Sequence, residues 1–464
     1  MAHDALIIGA GMSGLAAGIR LAMFGKKVVI LEKHTIAGGL NSYFQRRNRD
    51  KGGIRQFDVG LHALTNFIKK GDKGKPFNKL LKQLRLSLDE FKLCPQSYSQ
   101  IVFPEVSLKF SNDFELLQTE VFEKFPAHKD EFIKLVQIVR EFNELDLNLK
   151  YESTRARLQT LLTDPLLIEM ILCPLLIYGS AWEEDMDFAQ FVIMFKSLYF
   201  EGFSRPEGGV RTIIDLLLTK YQEAGGELRF KAGVEKILTH NKRAIGVLLE
   251  SGEELLASQV FSSIGLPETM AKISEATLEP RVGKMTFLES LFVFDQKPIY
   301  ATDATILFYN NSNKYSYTQA QNYFDERSAV ICLPDNYEPH VSTGEGMVRV
   351  TYMANFDQWK TLSREDYLAK KESVAQSALA LTKKLIPKLD AKLLYTDVFS
   401  PTTIEKYTWH FKGTVYGSID KTRDGRTPID NLFIIGTDQG FLGIVGAMLS
   451  GISMANLHGL MEQK

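Results

Sequence analysis

The chain has 464 residues, 45% of them hydrophobic and 24% charged, with a formal net charge of −1. That length exceeds one simple core and points to two domains, and no basic field favours nucleic acid. The three cysteines, Cys94, Cys173 and Cys332, are scattered, without the paired spacing of a disulfide framework or a metal site.

The first residues, MAHDALIIGAGMSG, lack the basic and long apolar regions of a signal peptide. The short apolar run ALII, residues 5–8, predicts a buried strand, and GAGMSG follows at 9–14. Helical spacing then runs over 15–25, with Gly25 as its stop, and KVVILE at 27–32 predicts a second strand ending in an acid. This is a β-α-β unit of nucleotide-binding size.

Residues 77–150 read as mainly helical, apart from a strand-like stretch near 99–110, and 158–200 as apolar helices. The most apolar run, 166–179, carries Glu169 and Pro174 and is shorter than the roughly 20 residues of a membrane span. These readings predict a cytoplasmic chain, soluble or peripheral on a membrane. The helices at 117–150 and 158–200 are expected either to dock on a membrane or to pack against the substrate domain.

A helix is predicted at 210–223, strands and turns over 233–265, strand-rich chain over 286–355 and a helix at 364–386. The last predicted strand, 431–436, runs into GTDQGFLGIVGAMLSG. Nucleotide-fold signals therefore sit at the start, middle and end of the chain. The expected fold class is α/β: a discontinuous Rossmann-type domain (1–70, 205–265 and 395–464) with an inserted mixed α+β substrate domain (71–204 and 266–394).

In Gly9-Ala10-Gly11-Met12-Ser13-Gly14, Gly9 allows the tight turn, Gly11 lets backbone approach a pyrophosphate, and Gly14 lets helix pack on strand. The helix N-terminus offers free N–H groups to the phosphates. Glu32 lies 18 residues past Gly14, close to the spacing of about 20 expected of an acid that accepts ribose hydroxyls. That acid argues against a 2′-phosphate.

The double glycine Gly38-Gly39 and the return strand FDVGLH, 57–62, suggest backbone passing close to a cofactor longer than NAD. Val234 is placed to present backbone groups to an adenine. Asp438 is expected on a ribityl chain, with Gly436 allowing the strand end to approach it. The start of the last helix, Ile444-Val445-Gly446-Ala447, is expected to aim N–H groups at a flavin edge, where a helix N-terminus stabilises the reduced form. The cofactor expected is FAD.

With these motifs in order, the chain resembles the flavin-dependent phytoene desaturase, carotenoid isomerase and retinol saturase family. The resemblance runs from GAGMSG and FDVGLH through RPEGGVRTI, 205–213, to the last glycine run, and GTVYGS, 413–418, leans toward the isomerases and saturases. Relatives often carry Arg after the double glycine, where this chain has Leu40; the helix dipole and Lys33 are then expected to neutralise more of the pyrophosphate.

The resemblance implies a long apolar tunnel to the flavin, with polyene or isoprenoid lipids as substrates. Desaturation, double-bond saturation and cis–trans isomerisation all fit that geometry. The residues name neither the exact substrate nor the electron partner. His62 is the candidate for proton transfer, against a plain role in hydrogen-bonding backbone, and Asp58 is expected to orient backbone. Tyr416 is a candidate pocket residue; Trp409 and His410 could face either way. An amine oxidase-like flavoenzyme and a flavin-free lipid carrier of the GDP-dissociation-inhibitor type are the alternatives.

Overall fold

A computed structural model describes all residues other than 1, 49–51, 70, 73, 145, 147–148, 275–277, 338–343 and 462–464. The strands His3–Ile8 and Val28–Leu31 carry the aliphatic runs 5–8 and 28–31, buried on both faces as parallel strands require. They lie side by side with Ala5 opposite Val28. The parallel sheet runs in the order Glu227–Arg229, Val28–Leu31, His3–Ile8, Glu254–Ser262 and Leu432–Ile434. Its five strands come from the start, middle and end of the chain.

Three helices cover one face: Met12–Ala22, Val210–Glu223 and Gly443–Met454. Leu15, Ile19, Ile213, Leu217, Met448 and Ile452 bury against Ile7 and Ile30 there. The other face carries an antiparallel pair, Val234–His240 and Arg243–Leu249, continuing from Glu254–Ser262. Two helices approach to backbone contact at Gly451, where an added Cβ would sit 2.1 Å from the Ser13 carbonyl oxygen.

The second sheet has the order Leu393–Phe399, Thr286–Phe294, Gly346–Ala354, Ser328–Cys332, Ala304–Asn310, Tyr98–Val102, Ser107–Phe110. Its residues alternate between two cores with period two. Ile306 and Phe308 face the helices of residues 114–200, while Leu307 and Tyr309 face the helix Arg364–Leu385. The helices Lys129–Glu141 and Pro165–Gly179 bury Phe132, Leu135, Ile171 and Leu175 in the first of these cores. Glu169, the charge inside the apolar run, is held by the two terminal guanidinium nitrogens of Arg155.

Among the described residues, one helical stretch, Gly443–Leu460, is long and apolar enough to cross a membrane. Half of it is buried, much of it against Met12–Ala22.

Packing also allots the chain between the two sheets. Pro76–Gln83 and Leu88–Phe91 join the core of the first sheet, through Phe77, Leu80 and Phe91. A hairpin, Tyr43–Arg47 with Ile54–Asp58, reaches across to the second, where Phe57 packs on Leu291 and Val293. The sequence reading assigns no element to residues 393–408, which form an edge strand and the helix Pro401–Thr408.

Candidate active site

One cavity of about 1740 Å³ lies between the two sheets and takes residues from both. That exceeds the roughly 300–1,000 Å³ of a site for one small ligand. The glycines of the first turn differ in conformation and in what surrounds them. Gly9 turns with φ +95°, a conformation that disfavours side chains. Gly14 lies under the Gly9 carbonyl, where a Cβ would be 2.1 Å from the oxygen. At Gly11 an added Cβ meets nothing within 4 Å. Gly11 caps Met12–Ala22 without a side-chain partner, so the N–H groups of that helix open onto the cavity beside Met12 and Ser13.

Glu32 lines the cavity at the end of its strand. Its carboxylate accepts from the N–H of Ala10 and of His34, each at 2.8 Å. Each oxygen keeps a second lone pair for a ribose hydroxyl. Ala10 itself is buried beneath this bond. Gly38 donates its N–H to the Ala10 carbonyl at 2.9 Å, and Gly39 and Leu40 continue along the wall. The close approach permitted by Gly60 (φ +71°) is to the chain itself: a Cβ there would meet the Leu40 carbonyl oxygen.

Two of the expected side chains make contacts within the protein. Lys33 is paired: its Nζ lies 2.7 Å from Glu250 Oε1 and 3.4 Å from the Trp409 ring centre. The pair is solvent-exposed, and Lys33 lines the cavity. Asp438, 1% exposed, does not line the cavity. Its Oδ2 accepts from Leu266 N–H at 2.6 Å, and its Oδ1 from Ser418 N–H at 2.9 Å and Lys421 Nζ at 3.0 Å. The tight turn Thr437–Gln439 after Gly436 faces Thr437 to the cavity and turns Asp438 inward, where it ties three segments together.

Val234 also lines the cavity, its carbonyl accepting from Lys272 Nζ at 2.6 Å. Ile444, Val445, Gly446 and Ala447 all line the cavity, in a helix whose N-cap, Leu442, offers no side-chain partner. Two helix N-termini without side-chain caps thus open on one cavity that also holds a strand-end acid. That donor set fits a dinucleotide whose phosphates meet the first helix and whose flavin edge meets the second.

Beyond this end, Ile177, Tyr178, Ile193, Met194, Phe287 and Val330 make an apolar wall. His62 stands within it. Its Nδ1 is 3.2 Å from Tyr178 Oη, and its Nε2 is 3.1 Å from Thr351 Oγ1 and 3.7 Å from Glu289 Oε2. The ring therefore bonds side chains rather than backbone. Arg349 grips Glu289 through two nitrogens and donates to the Leu61 carbonyl at 2.6 Å. Arg205 donates to the same carbonyl at 2.9 Å and pairs with Asp58, which accepts from Val210 N–H at 3.2 Å. Asp58 thus orients backbone as expected.

Burial, with the nearby Arg349 and Arg205, lowers the His62 pKa against the opposing pull of Glu289, so the imidazole is neutral at pH 7. Burial pushes Glu289 up, but Arg349 and His62 together outweigh it and hold the carboxylate at about 2.

Tyr416 lines the cavity and donates its hydroxyl to the Ile177 carbonyl at 2.5 Å; Trp409 and His410 line it too. Sequence reasoning missed Tyr178, Glu289, Arg349 and Thr351. The available signal was a lone acid in FLESLFVF and a lone arginine in MVRVTYMA, two strands otherwise apolar enough to be buried.

Residues 12–457 match the family described as flavin containing amine oxidoreductase. The chain is 25% identical to prolycopene isomerase, chloroplastic, of Daucus carota, over 98% of this chain and 79% of that protein. It is 23% identical to all-trans-retinol 13,14-reductase of Danio rerio, over 98% of this chain and 85% of that one. Among solved structures it resembles an oxidoreductase from Methanosarcina mazei, with a TM-score of 0.67 and 18% identity over 98% of this chain and 100% of that one. The chain belongs to the flavin-containing amine oxidoreductase family, and it is an FAD-dependent oxidoreductase.

Proposed function

We propose that this enzyme acts on a polyene or isoprenoid lipid, by desaturation, saturation or cis–trans isomerisation. The observation that carries the reading is the single cavity joining two open helix N-termini to the apolar wall around His62. The relatives named for prolycopene and retinol support it. FAD, when bound, supplies hydride transfer. Gly11, Glu32 and Gly39 would hold its dinucleotide part, and Ile444–Ala447 its flavin edge.

The chain's own residues shape the rest. The apolar wall excludes water from the lipid. Tyr178 and Thr351 fix the plane of His62, and Arg205 and Arg349 fix the backbone that carries it. A neutral His62 can accept a proton at Nε2, and Glu289 offsets the charge that forms there. That suits a reaction in which the substrate loses a proton along with a hydride. We also propose, on the packing above, that the cofactor domain includes residues 71–91 and that the strand Leu393–Phe399 belongs to the substrate domain.

Incubating holoenzyme with a polyene, under oxidised and under dithionite-reduced conditions, separates the three outcomes by product mass. Loss of two hydrogens marks desaturation, gain of two marks saturation, and unchanged mass with a new retention time marks isomerisation. Unchanged polyene under both conditions would refute the reading.

A further inference from the structure

The apolar wall ends in a polar group of side chains that the chemistry above does not use. The segment carrying His62 and Ala63 continues along the cavity to Thr65 and Asn66. The helix carrying Ile193 and Met194 widens into a π-helical turn, Lys196–Phe200, before Glu201. Such turns recur at functional sites. Along both segments the lining changes from apolar to polar in the same direction, toward Thr65, Asn66, Ser197 and Glu201.

These groups are fixed against one another. Asn66 adopts φ +63° and donates from Nδ2 to Glu201 Oε2 at 2.7 Å. Thr65 donates its hydroxyl to Asn66 Oδ1 at 2.8 Å, which sets the amide's orientation. The remaining carboxyl oxygen, Glu201 Oε1, has no hydrogen-bond partner among the described residues, although Glu201 is partly buried and lines the cavity. A half-enclosed acceptor without a partner favours a ligand that donates.

Resting on the polyene reading, we infer that Thr65, Asn66 and Glu201 form a subsite for a hydroxyl group at the end of the lipid, which donates to Glu201 Oε1. A carboxylate end would be repelled by Glu201. An ammonium end is disfavoured because the Lys196 and Lys75 charges already act on that carboxyl. Burial, opposing them, raises the Glu201 pKa. Asn66 lies four positions after His62, so extended backbone sets their Cα atoms at most about 14 Å apart.

The test compares binding to holoenzyme of all-trans-retinol and of the same polyene with CH₃ in place of CH₂OH. The alcohol is expected to bind about tenfold more tightly, the worth of one hydrogen bond in a buried site. Glu201→Ala should remove that preference and leave the hydrocarbon's affinity unchanged. If flavin content shows that this variant fails to fold, Thr65→Val, which frees the amide, should narrow the preference. Equal binding of both lipids to wild type, or a full preference retained in the variants, would overturn the subsite while leaving the polyene reading intact. Binding of neither lipid would overturn both.

Discussion

Glu32 has two duties, since the carboxylate that would hold a ribose also fixes the Ala10 and His34 N–H groups. Glu32→Ala should therefore weaken FAD binding by at least about tenfold, read from flavin content and titration; full affinity would contradict the ribose assignment. His62→Leu should keep its flavin and lose about 10²-fold or more in turnover, the usual weight of a positioned proton-transfer group. Unchanged turnover would demote His62 to packing. A third prediction concerns Glu268, which is 1% exposed, with Oε1 accepting from Phe411 N–H at 2.6 Å. Burial, with Asp438 adding to it, pushes its carboxyl up from 4.5 to about 8. The native protein thus holds this proton where the unfolded chain has released it. The group's contribution to stability is full below about 4.5 and falls away as pH rises toward 8. Glu268→Gln should flatten the decline of Tm across that window; parallel Tm curves would contradict the assignment.

Among the elements, those with a local signature were legible. Val210–Glu223 matches the span predicted for it, because a glycine pair precedes it and another follows. The first helix begins at Met12, three residues before its predicted start, directly after Gly11, whose extended backbone caps it. The hairpin of residues 43–58 was seen only as a return strand, because its apolar residues answer to Leu291 and Val293 far along the chain. The edge strand Leu393–Phe399 has the same difficulty: its pairing partner is Thr286–Phe294. The glycines give a test at this scale. Gly11→Ala should fold normally but bind FAD more weakly, since its Cβ enters open cavity. Gly451→Ala should lower Tm with or without flavin, since its Cβ meets the Ser13 carbonyl. The reverse pattern would undo the roles given to the two positions.

Over the whole molecule, the sequence told which segments converge, but not which side chains face inward. The glycine run at 436–451 was legible as one wall of the cavity, whereas the inward turn of Asp438 depends on partners at 266, 418 and 421. The His62–Glu289–Arg349 group was hidden for the same reason, because His62 lies more than 200 residues before Glu289, and Glu289 meets Arg349, 60 residues further on, only where the second sheet pairs Thr286–Phe294 with Gly346–Ala354. What unites these features is one cavity, with cofactor groups from the first sheet and an apolar wall from the second. The most direct measurement is turnover by purified holoenzyme, offered polyenes and small amines in parallel and assayed by chromatography. The account predicts a changed polyene and untouched amines; oxidation of amines with every polyene recovered unchanged would contradict it.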